Sequence, residues 1–231
     1  MIRAALGSRS ASACLRVTDG MSSLTATAVP RSPTLGPMRW QIVYLLRDFV
    51  VAPQTFIRPK PRETAAPPDV GARAPDLPAL RAGRPAVVAF LRHVGCPFAE
   101  ATVRQLTTLA AAHPAIDFIA VTHSDEKPSR RWCDSFGGAA AVQLVPDPDR
   151  IHYAAWGVGL SDREHFAGRN SLAAVGRLLD EGIHNRWASG NRWQAAATFA
   201  VDASGMVRWR HFPAHAGDLP ALPDAVTALL A

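Results

Sequence analysis

The sequence predicts an α/β domain with a central, mainly parallel sheet that is covered by helices on both faces. From residue 69 onwards, apolar strand-like runs alternate with amphipathic helical segments, as is typical of parallel sheets. The first run, PAVVAFLR at 85–92, is almost continuously hydrophobic, and such strands are buried on both faces. A hairpin pattern, AATFAVDASGMVRWRHF at 196–212, adds antiparallel edge strands, so the sheet is expected to be mixed.

The predicted elements follow one another between residues 85 and 230. After the first strand, a helix over 97–114 carries its apolar side chains on one stripe and is stopped by Pro114. A second strand, a short helix ended by Gly137 and Gly138, a third strand and a glycine-terminated helix continue the alternation. In that order, these segments are AIDFIAVTHS at 115–124, residues 128–136, AVQLVPD at 141–147 and DRIHYAAWGVG at 149–159. The last helix is LPALPDAVTALL at 219–230.

Two segments fall outside this alternation. Residues 1–68 are basic and rich in Pro, Ser and Arg, and we predict a largely disordered tail and linker ahead of a domain over 69–231. The first 38 residues contain a single carboxylate, Asp19, and this composition also fits a mitochondrial transit peptide. Residues 161–194 form an insertion with one predicted helix, and insertions of this length often serve a functional site.

The charge of the chain lies in its N-terminal segment. The 231 residues have a formal charge of +6, and residues 1–68 account for it with nine Lys/Arg and three Asp/Glu. Residues 69–231 contain sixteen of each, whereas a nucleic-acid-binding domain needs a basic surface. No apolar run approaches the roughly 20 residues that span a bilayer. We therefore expect neither nucleic acid nor membrane as a partner, and a cytoplasmic location or, through the basic segment, a mitochondrial one.

Cys96 is the strongest candidate for a reactive side chain. It follows the first strand in VVAFLRHVGCPFAEATVRQL, at 87–106, and Pro97 then takes the first helical position. The unpaired N–H groups and the positive dipole end of a helix stabilise a thiolate at such a place. The alternative is a buried cysteine that acts only as a small apolar residue. The other cysteines are Cys14 and Cys133, and no CxxC pair is present, which argues against a secreted disulfide scaffold.

Several blocks over residues 69–231 resemble peroxiredoxin-like proteins of the alkyl hydroperoxide reductase/thiol-specific antioxidant family. The blocks are VGARAPDL near the start, FLRHVGCPFAEATVRQL around Cys96 and TFAVDASGMVRW in the late hairpin. Together with GGA, AAWG, GIHNR and RWQ, they are most similar to uncharacterised peroxiredoxin-like proteins of fungi. The resemblance implies a thioredoxin-like fold, to which this chain adds the N-terminal tail and the helical insertion.

The chain departs from this family at positions that support the reactive cysteine. Family members carry Pro and Thr seven and three positions before it, and Ala89 and His93 stand there. The Thr hydroxyl normally orients the peroxide, and His93 is a candidate replacement as a donor.

Two further family marks are also missing. The family's second-site arginine corresponds to Ala196, and its cis-proline to Ala197. Two other arginines offer the same type of charge as the missing one. They are Arg192, four residues before Ala196, and Arg92, near Cys96.

The resemblance implies a thiol-dependent antioxidant peroxidase in which Cys96 attacks a hydroperoxide and becomes a sulfenic acid. Cys133, in the helix after the second strand, is similar in placement to the resolving cysteine of atypical two-cysteine thiol peroxidases. Otherwise Cys133 is a buried helix residue, and an external thiol resolves Cys96. Thioredoxin or glutathione is the expected reductant, and no metal, flavin or haem is implied.

Two other functions remain open from the sequence. The missing Thr, Arg and Pro favour a catalytically weak, redox-responsive binding or regulatory protein that keeps the fold. A one-cysteine thiol–disulfide oxidoreductase is the other alternative. The insertion also contains two Arg–Trp pairs: Arg186 with Trp187, and Arg192 with Trp193. These side chains either stack as a cover on the surface, or they form a lid over the cysteine or a docking face for a reductant.

Overall fold

A computed structural model describes residues 53–231 of the chain. Residues 1–52, which hold most of the predicted disordered tail, the possible transit peptide and Cys14, lie outside the described residues. Within 53–231, no helix has both the length and the apolar character needed to cross a bilayer.

The centre of the described chain is a five-stranded mixed sheet, which confirms the predicted fold class. Its strand order is β3–β2–β1–β4–β5. The strands are β1 (Ala86–Phe90), β2 (Asp117–Thr122), β3 (Val142–Pro146), β4 (Ala197–Val201) and β5 (Val207–His211). The first three are parallel, whereas β4 pairs antiparallel with β1 and with β5. The late hairpin therefore extends the sheet on the far side of β1.

The helices occupy the connections that the sequence predicts. They are α1 (Pro97–Ala112), α2 (Glu126–Asp134), α3 (Ile151–Ala155), α4 (Arg163–Ala167), α5 (Arg169–Asp180) and α6 (Leu222–Leu230). A short 3₁₀ helix, Pro53–Phe56, precedes them. Each parallel strand is thus followed by a helix, which is the connection that parallel pairing requires.

Every residue of β1 is buried, because the sheet is packed on both faces. Val87 and Ala89 point into a core that also includes side chains from α1, α2, α5 and α6. Val88 and Phe90 point into a second core with Tyr153 and the segment after α3. Successive residues of a strand face opposite sides of a sheet, so the continuous hydrophobicity of β1 is what two covered faces demand.

The insertion at 161–194 contains two helices, α4 and α5, where the sequence predicts one. Its ends meet, since the Ser161 amide donates to the Trp193 carbonyl at 2.6 Å and Leu160 pairs with Gln194. Ala174 and Leu178 of α5 belong to the same buried cluster as α1. The insertion is therefore a closed excursion that packs beside the helix following Cys96.

Part of the predicted linker packs against the domain. The Ala65 amide donates to the Ala154 carbonyl at 3.0 Å, and Thr55 is only 2% exposed. Pro67 lies so close to Gly157 that a Cβ there would overlap it. The domain boundary at residue 69 stays a prediction, but residues before it contribute to the packed structure.

Candidate thiol site

Cys96 lies where β1 gives way to α1, at the carboxyl edge of the parallel strands. The Tyr153 hydroxyl lies 2.6 and 2.8 Å from the carbonyls of Leu91 and Val121, which share its single proton, and it ties the two strand ends together at this edge. Cys96 has extended backbone angles, φ −74° and ψ 130°, and its carbonyl accepts the first helical hydrogen bond from Glu100 at 3.0 Å. Pro97 follows as the first helical residue. The structure thus places Cys96 at a helix N-terminus, where unpaired N–H groups stabilise negative charge.

The guanidinium of Arg92 reaches the sulfur of Cys96. Its Nη1 lies 4.0 Å from Sγ, and its Nη2 donates to the Arg192 carbonyl at 2.6 Å. Arg92 is 5% exposed, and its guanidinium also lies 5.7 Å from the centre of the Phe166 ring of α4. Burial lowers the pKa of Arg92, and the charge of the neighbouring Cys96 opposes this effect. A buried cation beside the sulfur is stabilised when the sulfur is a thiolate.

A small cavity of about 20 Å³ lies against Arg92. Ala196 lines the same cavity, at the position where the resembled family carries its second-site arginine. Its volume is enough for one molecule of about the size of water. The Nε of Arg92 is buried and has no hydrogen-bond partner among the described residues. Arg92 therefore lines this cavity and carries one buried donor without a described partner, whereas Cys96 is not among the residues that line the cavity.

His93 is a neutral member of the same cluster. Its Nδ1 lies 2.9 Å from the Val94 carbonyl, which only accepts hydrogen bonds, so Nδ1 is assigned the proton. Its Nε2 then accepts from Nη1 of Arg192 at 3.5 Å. Burial, followed by the charges of Arg192 and Arg92, holds the pKa of His93 well below its usual range. In this tautomer the N–H of His93 is already donated, so its use as a peroxide donor requires the other tautomer and stays a prediction.

A segment of the insertion covers the loop before Cys96. The amides of Arg186 and Ser189 donate to the carbonyls of Gly95 and Val94, at 3.0 and 3.1 Å. Arg186 also pairs with the fully buried Glu100 of α1, with 2.6 Å between Nε and Oε2. We call residues 186–189 the cover segment. Cys96, directly after the covered loop, is only 2% exposed.

A cationic cavity of about 770 Å³ lies between α2 and the cover segment. Lys127 and Arg131 of α2 line it together with Arg186, and no carboxylate stands among its described lining residues. Trp187, which is 71% exposed, lies in the same lining. Val94 links this cavity to the Cys96 loop. Its size is that of ordinary small-molecule sites.

Cys133 lies in α2 and is a free, buried thiol, as is Cys96. Both cysteines belong to the same buried cluster on one face of the sheet. Burial, with a smaller effect from Asp134, raises the pKa of Cys133 to about 12. Cys133 is therefore a thiol and a weak nucleophile in this conformation.

The structure brings together four of the five residues that the sequence singled out: Cys96, Arg92, His93 and Arg192. Cys133, in α2, shares a buried hydrophobic cluster with Cys96. Sequence reasoning missed Phe166, Glu100 and Thr55, which contact the arginines of the site. A charged residue such as Glu100 in the first turn of a helix is a weak signal, and nothing in the sequence marks Phe166 or Thr55.

Comparisons with known proteins agree with this fold. A sequence model described as AhpC/TSA antioxidant enzyme matches residues 103–215, a range that begins after Cys96. A peroxiredoxin-like protein from Aquifex aeolicus has 17% identity and a TM-score of 0.50, over 72% of this chain and 89% of its own. A cysteine-to-serine mutant of peroxiredoxin 6 from Arenicola marina has 10% identity and a TM-score of 0.51, over 70% of this chain and 71% of its own. No curated protein shows significant sequence similarity to the chain.

Proposed function

We propose that this protein is a thiol-dependent antioxidant peroxidase that reduces hydroperoxides through Cys96. The observation that carries the proposal is the contact of 4.0 Å between Arg92 Nη1 and Cys96 Sγ at a helix N-terminus. The chemistry of a peroxidatic cysteine needs a thiolate and donors near the sulfur, and this arrangement supplies a cation for both. The match to AhpC/TSA antioxidant enzymes over 103–215 supports the same class of reaction.

In the proposed first step, the Cys96 thiolate attacks the outer oxygen of the hydroperoxide. The S–O bond forms as the O–O bond breaks, and the cysteine is oxidised to sulfenic acid. The alkoxide or hydroxide that leaves takes a proton from the solvent, which replaces the one that the thiol lost, and departs as alcohol or water. Negative charge moves from the sulfur to the leaving oxygen during this step. Arg92, with its unpartnered Nε and its Nη1 at the sulfur, is the group that stabilises charge at both ends.

The sulfenic acid then returns to the thiol in one of two proposed ways. Cys133 condenses with it, releasing water and forming a disulfide that a dithiol such as thioredoxin reduces. Alternatively, an external thiol forms the mixed disulfide, and a second thiol releases it. Cys133 is buried in α2 and its pKa is raised to about 12, so the first route needs a change around α2 that lets the Cys133 thiolate form.

The cationic cavity favours glutathione over thioredoxin as the external reductant. Glutathione carries two carboxylates, and Lys127 and Arg131 line the cavity together with Arg186, whose charge is already paired with Glu100. Lys127→Gln combined with Arg131→Gln is expected to slow recycling by glutathione about tenfold and to leave recycling by neutral 2-mercaptoethanol unchanged. If the wild type and the double variant are recycled at equal rates by glutathione and by 2-mercaptoethanol, a protein dithiol is favoured as the reductant instead.

The decisive experiment compares the full chain with Cys96→Ser. Hydrogen peroxide and an alkyl hydroperoxide are supplied in separate reactions with glutathione or a thioredoxin system, and peroxide consumption is measured. We expect turnover by the wild type and background rates for Cys96→Ser. Wild-type rates equal to those of Cys96→Ser under every reductant would contradict the proposal.

One observation favours the second candidate, a redox-responsive regulatory protein. Cys96 and Cys133 are each only 2% exposed, and the cover segment lies over the loop before Cys96. Such a protein would be oxidised once per molecule and would not turn over. Sulfenic acid trapping with a single equivalent of peroxide, followed by the recycling assay, separates this candidate from a peroxidase.

A further inference from the structure

We infer that Thr55, in the segment Pro53–Arg58, is a positioning residue of the Cys96 site. This inference rests on the proposed function, because it assigns a role within the same site. The segment precedes residue 69, where the sequence predicts the domain to begin. Nevertheless Thr55 is 2% exposed, as buried as the residues of the core.

Thr55 and its neighbour hold Arg192 by its backbone and by its side chain. The Thr55 carbonyl accepts from the Arg192 amide at 3.0 Å, and the Thr55 hydroxyl accepts from Arg192 Nε at 3.1 Å. The guanidinium carbon of Arg192 lies 4.6 Å from the centre of the Phe56 ring. The guanidinium of Arg192 is planar. A hydrogen bond at its edge and a ring against its face together restrict it to one orientation.

The contacts of this segment extend to both neighbours of Arg192. The Phe56 carbonyl accepts from the Trp193 indole at 2.8 Å, and the Ile57 carbonyl accepts from the Asn191 side chain at 2.8 Å. Arg58 lies 4.9 Å over the Trp193 ring. The segment therefore fixes the path of the chain at 191–193 as well as one side chain.

Arg192 transmits this position to the sulfur through Arg92. The Arg192 carbonyl accepts a hydrogen bond from Nη2 of Arg92 at 2.6 Å, and Nη1 of Arg92 lies 4.0 Å from Cys96 Sγ. Arg192 also donates to His93 Nε2 at 3.5 Å, so it contacts both Arg92 and His93. The interaction of two charges depends on their separation and on their burial, so a displaced Arg192 weakens the effect of Arg92 on the thiolate.

The test measures alkylation of Cys96 by iodoacetamide in the full chain between pH 5 and 9, read by mass spectrometry of the Cys96 peptide. Thr55→Val removes the hydroxyl and keeps the shape, whereas Thr55→Ser keeps the hydroxyl. We expect Thr55→Val to slow alkylation at pH 7 about threefold to tenfold and to move the pH–rate profile to higher pH. Thr55→Ser should restore the wild-type profile.

Thr122→Val is the matched control. Thr122 is also 2% exposed, and its hydroxyl bonds to Ser129 of α2 at 2.8 Å. This variant should keep the wild-type profile. The inference is wrong if Thr55→Val keeps the wild-type profile, if Thr55→Ser is as slow as Thr55→Val, or if Thr122→Val is slowed as much. If Thr55→Val does not fold, Thr55→Ala, which also removes the hydroxyl, replaces it, and an unchanged profile in that variant overturns the inference.

The assay separates this inference from the proposed function, because alkylation needs neither peroxide nor reductant. A wild type that forms no sulfenic acid with peroxide contradicts the peroxidase. Slower alkylation of Thr55→Val, rescued by Thr55→Ser, would still support the positioning role. Conversely, a working peroxidase with an unchanged Thr55→Val profile overturns the inference alone.

Discussion

At the scale of single residues, Arg92 gives the Cys96 site its charge. The chain has Ala196 where the resembled family carries an arginine, and Arg92 lines the same small cavity from the end of β1. Arg92, two residues after the end of β1, brings its guanidinium to within 4.0 Å of the sulfur. His93 and Arg192 surround this contact and are both buried.

We expect Arg92→Gln to slow the alkylation of Cys96 at pH 7 by about tenfold or more. A hydrogen bond to a charged group contributes about 1.5–3 kcal/mol, and the variant removes the positive partner of the thiolate. Arg92→Lys is the matched control, because it keeps the positive charge. Its alkylation rate should lie between those of Arg92→Gln and the wild type. Equal rates for Arg92→Gln and the wild type would show that the helix N-terminus alone stabilises the thiolate.

Cys133 should resist alkylation in the native protein at pH 8 and should react once the protein is unfolded in urea. Its pKa is raised to about 12, so little thiolate forms below pH 10, and its side chain is 2% exposed. Peptide mapping by mass spectrometry reads Cys133 separately from the other cysteines. Native-state labelling of Cys133 as fast as a free thiol would contradict its burial in α2.

At the scale of elements, the cover segment and the 3₁₀ helix complete the site around the β1–α1 junction. The sequence predicted this junction, including Pro97 at the first helical position, because hydrophobic period and proline preference are local properties. It also predicted the insertion and one of its helices. It did not predict that residues 186–189 pair with Val94 and Gly95, because that pairing joins parts of the chain that are distant in sequence.

Gly95→Ala is expected to displace the cover segment. Gly95 has φ +86°, and a Cβ there would overlap the Trp187 carbonyl. Gly71→Ala is the matched control, because Gly71 has φ +88° with nothing near a Cβ. Positive φ alone costs an alanine about 1 kcal/mol, so Gly95→Ala should destabilise the protein by about 1–2 kcal/mol more than the control.

Two measurements check this expectation. Denaturant unfolding compares the stabilities of the two variants, and hydrogen exchange follows the amides of Arg186 and Ser189. We expect faster exchange of both amides in Gly95→Ala only. The same stability and exchange in both variants would mean that the close approach of Trp187 does not constrain this loop.

At the scale of the whole molecule, buried neutral histidines make stability depend on pH. Burial lowers the pKa of His123 to about 3, and His93 is lowered in the same direction. In the unfolded chain both titrate near pH 6.5, so below that pH the unfolded state binds more protons than the native state. Folding stability is therefore complete above pH 6.5 and is lost as the pH falls towards 3.

We predict that the free energy of unfolding falls by about 1.4 kcal/mol per pH unit between pH 6 and 4 through His123, and that His93 adds to the fall in the same direction. His123→Gln should reduce this slope by about that amount, and it should leave the slope between pH 7 and 8 unchanged. Urea unfolding at each pH gives the values. A variant slope equal to that of the wild type between pH 6 and 4 would show that His123 is protonated in the native state.

The sequence by itself determined the order of strands and helices, the mixed sheet and the position of Cys96 at a helix start, since these follow from hydrophobic period, proline and glycine signals within short windows. Only the tertiary structure decided which arginine meets the sulfur, because Arg92 and Arg192 were equal candidates until the fold joined Arg192 to Arg92 across the sheet edge. It also decided that Thr55, in a segment that reads as a linker, packs beneath Arg192. Contacts between parts of the chain distant in sequence depend on packing geometry, and no local pattern encodes that.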